Sequence, residues 1–136
     1  MRIDHVGGCH CGAIGFTFST EKPPSSWSIR ACQCRFCLGH AALSLSDPTG
    51  SLRFHHRDPE RLVRYRFGLR TAEFLLCREC GVYIGAVTND GEHGIVNTNT
   101  FAERIALPPP QPMTYEGETE VDRLARRSTR WTPIAA

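Results

Sequence analysis

Hydrophobic residues recur at every second position in short stretches of this chain. Ile14, Phe16 and Phe18 form one such set, Trp27, Ile29 and Ala31 a second, and Leu43 and Leu45 a third. Val63, Tyr65 and Phe67 form a fourth, with arginines between them. A period of two turns one set of side chains inward and the other toward water, so these stretches predict half-buried antiparallel strands. Further strands are expected at 51–54, 73–76, 82–87 and 94–97. The reversals between them fall at Pro23-Pro24-Ser25, Asp47-Pro48-Thr49-Gly50, Asp58-Pro59-Glu60 and Asn89-Asp90-Gly91, all residues that favour tight turns. Helix is scarce, with a turn or two expected at 101–105 and 118–126. The predicted class is therefore mainly β. Pro108-Pro109-Pro110 with Pro112 reads as a stiff extended connector (108–112) ahead of a short tail (113–136). Trp131 in that tail is expected to pack over an open side of a sheet.

Composition changes this picture little. At 136 residues, with 40% hydrophobic and 22% charged residues, the chain reads as one globular domain, 1–136, that buries about two-thirds of its unfolded surface. No apolar run approaches the roughly 20 residues a membrane-spanning helix needs. The N-terminus lacks the apolar stretch of a secretory signal, so a reducing cytoplasm is the expected compartment. A net charge of +2 makes a nucleic-acid partner an unfavoured expectation. The basic stretches 64–70 and 123–130 are read as a solvated strand face and a basic tail.

Cysteine changes the picture most. The chain has seven, an odd number that in a reducing compartment argues for metal or redox chemistry over disulfides. They fall in three groups: Cys9-His10-Cys11-Gly12, Cys32-Gln33-Cys34-Arg35-Phe36-Cys37 and Cys77-Arg78-Glu79-Cys80-Gly81. CxxC followed by Gly is a zinc knuckle, a tight turn that points two thiolates at one ion. The first group offers a second thiolate pair of similar shape. Together Cys9, Cys11, Cys77 and Cys80 would close a tetrahedral structural site and tie the N-terminal strand to the middle of the chain. The alternative, in which two thiolates of the second group complete that site, would strand a third thiol and leave an outer pair without a partner.

The second group puts Cys32, Cys34 and Cys37 on one continuous loop. Three ligands plus an exchangeable fourth position is the pattern of catalytic zinc. Such a centre could hold and deprotonate a thiol beside an aldehyde. Two alternatives stay open: a metal-free or oxidised thiol cluster, and a site closed by His40. His10 is expected to point away from the ion, and His55, His56 and His93 to lie at the surface.

The order CxC–Gly, CxCxxC, CxxC–Gly, with a strand leaving each group, resembles the glutathione-dependent formaldehyde-activating enzyme family, which also includes centromere protein V. Gly8-Cys9-His10-Cys11-Gly12-Ala13-Ile14 is similar to that family's opening motif and Cys77-Arg78-Glu79-Cys80-Gly81 to its closing one. The likeness spans about 7–100. It implies a β-tent of coiled antiparallel sheets and two zinc ions per chain, a structural one on Cys9, Cys11, Cys77 and Cys80 and a catalytic one on Cys32, Cys34 and Cys37. It also implies a carbon–sulfur lyase that reversibly joins a small thiol such as glutathione to a small aldehyde such as formaldehyde. After Cys37, where many relatives carry a basic residue, this chain has Leu38-Gly39-His40. The competing expectation is a non-catalytic, zinc-stabilised binding module.

Overall fold

The computed structural model describes residues 1–135. In chain order its strands are β1 (Ile3–Gly8), β2 (Ile14–Thr20), β3 (Arg30–Cys32), β4 (Ser44–Leu45), β5 (Ser51–His56), β6 (Leu62–Tyr65), β7 (Ala72–Cys77), β8 (Tyr83–Thr88), β9 (His93–Asn97), β10 (Gln111–Met113) and β11 (Thr132–Pro133). Two helices, α1 (Arg35–Gly39) and α2 (Glu120–Arg130), complete the regular structure apart from three short 3-10 turns. A three-stranded sheet has the order β1-β2-β5, and an eight-stranded one follows β10-β3-β4-β9-β8-β7-β6, with β11 added to β9. The fold is mainly β, as the alternation predicts.

Why β2 is a strand is visible in its burial: Ile14, Phe16, Phe18 and Thr20 all face inward. Phe16 lies opposite Phe54 and Phe18 opposite Leu52 of β5. These rings meet Trp27 and Phe101, with centroids 5.7 Å apart for both Phe16–Phe101 and Trp27–Phe101. Each buried aromatic of this kind contributes about 1.5–3 kcal/mol by leaving water. The large sheet is buried on both faces, since Leu75 and Val96 join the core beneath β2 while Phe74 and Ile95 join a second core with Tyr83 and Trp131.

The structure departs from the sequence reading in several places. Residues 101–105 are not helical. Phe101 takes an extended conformation that aims its ring into the aromatic core, and the Ala102 amide donates to the Val6 carbonyl at 2.9 Å. The second expected helix is real but runs Glu120–Arg130. Its N-cap is Thr119, whose hydroxyl accepts from the Asp122 amide at 3.1 Å. Acidic residues in its first turn and arginines in its last suit the helix dipole. β1 and α1 were not expected. β1 exposes Ile3 and Val6 and is held by its ladder to β2, so hydrophobic alternation could not mark it. Trp27 and Ile29 are buried but precede the strand they were assigned to, and β6 ends before Phe67.

The basic stretches also divide. Arg64 and Arg66 are solvated and pair with Glu73 at 3.3 Å each, as a wet strand face should. The tail is not solvated throughout, because Arg127 is buried. The connector becomes β10, which pairs in parallel with β3: Gln111 donates to Ile29 and Gln33 to Met113, at 2.9 and 2.8 Å. That pairing carries the chain back to the second cysteine group and delivers α2 beside it.

Asp47 fastens this return. Its buried carboxylate accepts from Thr20 Oγ1 (2.6 Å), Thr49 N (3.0 Å) and Thr49 Oγ1 (2.8 Å), and meets Lys22 Nζ at 3.1 Å. Its own amide donates to Thr132 Oγ1 at 2.9 Å. Burial alone would raise its pKa, but the Thr20, Thr49 and Lys22 donors outweigh that and hold it at about 2. A folded pKa below the unfolded one means the carboxylate's contribution is full above the ordinary carboxylate range and is lost as pH falls toward about 2. We predict that Asp47→Ala costs about 2–4 kcal/mol at neutral pH, because it leaves the buried Thr20 hydroxyl and the part-buried Thr49 donors unpaired. Denaturant unfolding measures this, and a loss below about 0.5 kcal/mol would show that the Asp47 carboxylate does not hold the 20–22 and 47–49 segments together.

Candidate metal centre

All seven cysteines are free thiols, and they gather into two groups. Within each group every sulfur lies within 4.8 Å of the others.

The first group joins Cys9 and Cys11, in the turn between β1 and β2, to Cys77, the last residue of β7, and Cys80, in the turn that leads to β8. It therefore links a hairpin of the small sheet to a hairpin of the large one. The two turns are built alike. Cys9 N donates to the Ile14 carbonyl and Cys77 N to that of Val82, each at 3.0 Å. Gly12 and Gly81 have φ of +82° and +78°, left-handed values that a side chain resists. Backbone amides reach the sulfurs as well, from Ile14 to Cys9 at 3.4 Å and from Cys80 to Cys77 at 3.5 Å.

Whether a metal fits can be judged from the donor set. Four sulfurs about 2.3 Å from one zinc ion lie about 3.8 Å from each other at the corners of a tetrahedron. The separations Cys9–Cys11 and Cys11–Cys77 are 3.7 and 3.5 Å. Four thiols so close must share or lose protons. Burial raises the Cys80 pKa, but the Cys11 and Val82 amides and the neighbouring thiols outweigh it, leaving about 6. A cation is the natural replacement for those protons, and the spacing is compatible with zinc.

The second group is local. Cys32 ends β3, Cys34 is the N-cap of α1, and Cys37 is buried inside that helix. The Cys37 amide donates to Cys34 Sγ at 3.4 Å, so one sulfur of the group also starts the helix that carries another. A hydrogen bond from Cys37, with help from the Cys34 amide, lowers the Cys32 thiol to about 5 against the opposing effect of burial. The same contact, together with burial, pushes Cys37 upward. Three sulfurs of this kind could hold a metal ion and leave a position free.

None of the histidines enters either group among the described residues. The His40 ring packs on Phe36 and Tyr83, at 4.6 and 5.6 Å between centroids, instead of turning to the sulfurs. His10, His55 and His56 are exposed and His93 is half-buried. Cys32, Cys34 and Cys37 line a cavity of about 420 Å³, walled by Phe67, Phe74 and Trp131 and by arginines of β3 and α2. Cys9, Cys11, Cys77 and Cys80 line none of it. Sequence reasoning missed the arginine wall, since nothing local in 123–127 says that this tail folds back over Cys32. Tyr83 was also missed: its hydroxyl is buried without a hydrogen-bond partner among the described residues, and burial, with the nearby Cys37, Cys32 and Cys34, keeps it protonated.

Two packed sheets, a four-thiol staple and a three-thiol group on a cavity define a β-protein organised around cysteine sites that could bind metal. A model of one family, described as glutathione-dependent formaldehyde-activating enzyme, matches residues 4–117. The chain belongs to this family. Among solved structures it is similar to a crystal structure of a protein from Rhodobacter sphaeroides, with a TM-score of 0.64 and 27% identity over 79% of this chain and 99% of that one. No helix among the described residues is long and apolar enough to cross a membrane.

If the four-thiol group holds zinc, binding free energy becomes folding free energy. We predict that zinc raises the Tm of reduced, metal-stripped protein by more than about 10 °C and that Cys80→Ser abolishes most of this gain. Thermal melts with and without zinc decide it. A gain that survives in the variant would mean that the four sulfurs are not the stabilising site.

Proposed function

We propose that this protein is a zinc-dependent carbon–sulfur lyase of the glutathione-dependent formaldehyde-activating type, working as a thiol–aldehyde adduct-forming enzyme. The observation that supports this most directly is the division of labour between the sulfurs: four form a group away from the cavity, while three line it. On this reading Cys9, Cys11, Cys77 and Cys80 hold a structural ion, and Cys32, Cys34 and Cys37 hold the catalytic one.

A zinc ion on the three thiolates would supply an open position at which a thiol loses its proton or a carbonyl is polarised. The rest falls to the chain. Cys34, as helix cap and ligand, fixes the position of Cys37 relative to Cys32, so the centre is set before substrate arrives. Phe67, Phe74 and Trp131 keep bulk water from one side of the cavity, and the arginines raise its potential, which favours the thiolate form of an entering thiol. In the forward direction the sulfur forms a bond to the aldehyde carbon, the C=O π bond opens, and the thiol proton ends on the carbinol oxygen. Nothing is oxidised or reduced. Glu116 is the one carboxylate among the described lining residues, and no imidazole lines the cavity. Glu116 is exposed, so it can exchange a proton with solvent.

Two outcomes are expected. Elemental analysis of reduced protein should give close to two zinc ions per chain, falling to one in Cys34→Ser. Serine is itself a good N-cap, so α1 and the fold should survive in that variant. Exchange NMR on glutathione and formaldehyde near equilibrium should then show zinc-loaded protein accelerating exchange above the uncatalysed background, with the gain lost in Cys34→Ser. If no thiol and aldehyde pair exchanges faster although both sites are full, catalysis of this reaction class is excluded and a zinc-stabilised binding module is the better reading.

A further inference from the structure

Arginines dominate the cavity on the three-thiol group. Arg30, Arg35, Arg123, Arg126 and Arg127 line it, against Glu116. Glu118 stands behind Arg123 and Arg126, which it binds at 2.9 Å each. A zinc–trithiolate centre would add a single negative charge, so positive charge remains in excess.

Two of these guanidinium groups are placed unusually. Arg127 is buried, donates from Nη1 to Thr71 Oγ1 at 2.6 Å and stacks on Trp131 at 4.7 Å, but its Nε has no partner among the described residues. Arg30 donates from Nη2 to Ser46 Oγ at 2.7 Å, and its Nε is likewise buried without a partner. Neither forms an ion pair with a carboxylate among the described residues. A desolvated cation without a counter-ion costs several kcal/mol. Here the cost is compounded by repulsion: burial, followed by the charges of Arg126 and Arg123, lowers the Arg127 pKa to about 10. Both stay charged at neutral pH. The Arg126 guanidinium lies over the Tyr115 ring, 3.8 Å from its centroid, and is held by Glu118 through Nε and Nη2 at 2.9 and 3.0 Å, which leaves Nη1 to the cavity wall. The fold therefore keeps fixed, rigid donors in a water-poor space, an arrangement suited to charge-assisted hydrogen bonds with a planar anion.

We propose that Arg30, Arg126 and Arg127 form a carboxylate subsite that selects anionic thiols over neutral ones for the three-thiol centre. The selectivity is supplied largely by α2. This helix begins at Glu120, beyond the residues 4–117 that match the family model. The helix is docked at its far end, where Ser46 Oγ donates to the Arg130 carbonyl at 2.8 Å. The identity of the anion as part of a thiol rests on the functional reading above; the anion site itself does not.

The test uses S-methylglutathione, which has glutathione's carboxylates but no free thiol, and its diethyl ester, titrated by calorimetry into zinc-loaded full-length protein. The acid should bind about ten-fold or more tighter than the ester, and rising salt should erode the acid's advantage alone. Arg30→Gln and Arg126→Gln should each weaken the acid about ten-fold and leave the ester unchanged, a pattern that loss of structure would not produce. Equal binding of acid and ester to the unsubstituted protein overturns the subsite even if a variant fails to fold. Inorganic phosphate binding as tightly as S-methylglutathione overturns the assignment to a thiol's carboxylate. The two readings separate cleanly. Exchange accelerated equally for glutathione and 2-mercaptoethanol would sink the subsite and spare catalysis. Selective acid binding without acceleration would do the reverse.

Discussion

Everything in this fold is arranged around the convergence of four sulfurs from two hairpins. The β1–β2 turn and the β7–β8 turn are far apart in sequence and belong to different sheets, yet they present Cys9, Cys11, Cys77 and Cys80 within 4.8 Å of each other. Thiols at that spacing repel one another as their charge builds, so the convergence is stable only if protons or a cation neutralise it. The glycines at Gly12 and Gly81 and the amides aimed at Cys9 and Cys77 make the turns rigid before any ion arrives. With the hairpins joined there, Phe16 and Phe18 on one sheet and Leu75 and Val96 on the other are brought into the same core.

The second cysteine group depends on that frame without sharing its construction. Its sulfurs come from one loop, so their mutual distances are set locally by β3 and α1 and not by long-range closure. What the frame contributes is surroundings: the second core beneath Phe74 and Tyr83, and a cavity whose opposite wall is the returning tail. Ligand geometry and cavity chemistry are thus encoded in different parts of the chain. Residues 32–37 carry the sulfurs, and residues 115–131 much of the wall.

This division explains what could be read from sequence. Phe16 and Phe18, alternating with Thr17 and Ser19, declare their strand because one face is dry and the other is not. The three cysteine groups declare their partition because a thiolate pair on a glycine turn has few uses besides metal. Phe101 misled because Ala102-Glu103-Arg104 has helical composition, while its ring is required in the aromatic core and its neighbour's amide is taken by Val6. β1 was illegible because it is held by backbone hydrogen bonds that carry no side-chain signature. The arginines of α2 were illegible for a different reason. A run of basic residues after a proline connector looks alike whether it is solvated or folded back, and only the β10–β3 pairing decides between these.

That pairing is parallel and short, and it falls on the residue between two sulfurs of the second group: the Gln33 amide is bonded to Met113, with Cys32 on one side and Cys34 on the other. The thiol loop and the C-terminal segment are therefore mechanically one piece. The positions of α2 and of the thiol loop are set by the same short ladder, Gln33 to Met113 and Gln111 to Ile29. A substitution in the tail that shifted this ladder would move the residue between Cys32 and Cys34 without altering either sulfur.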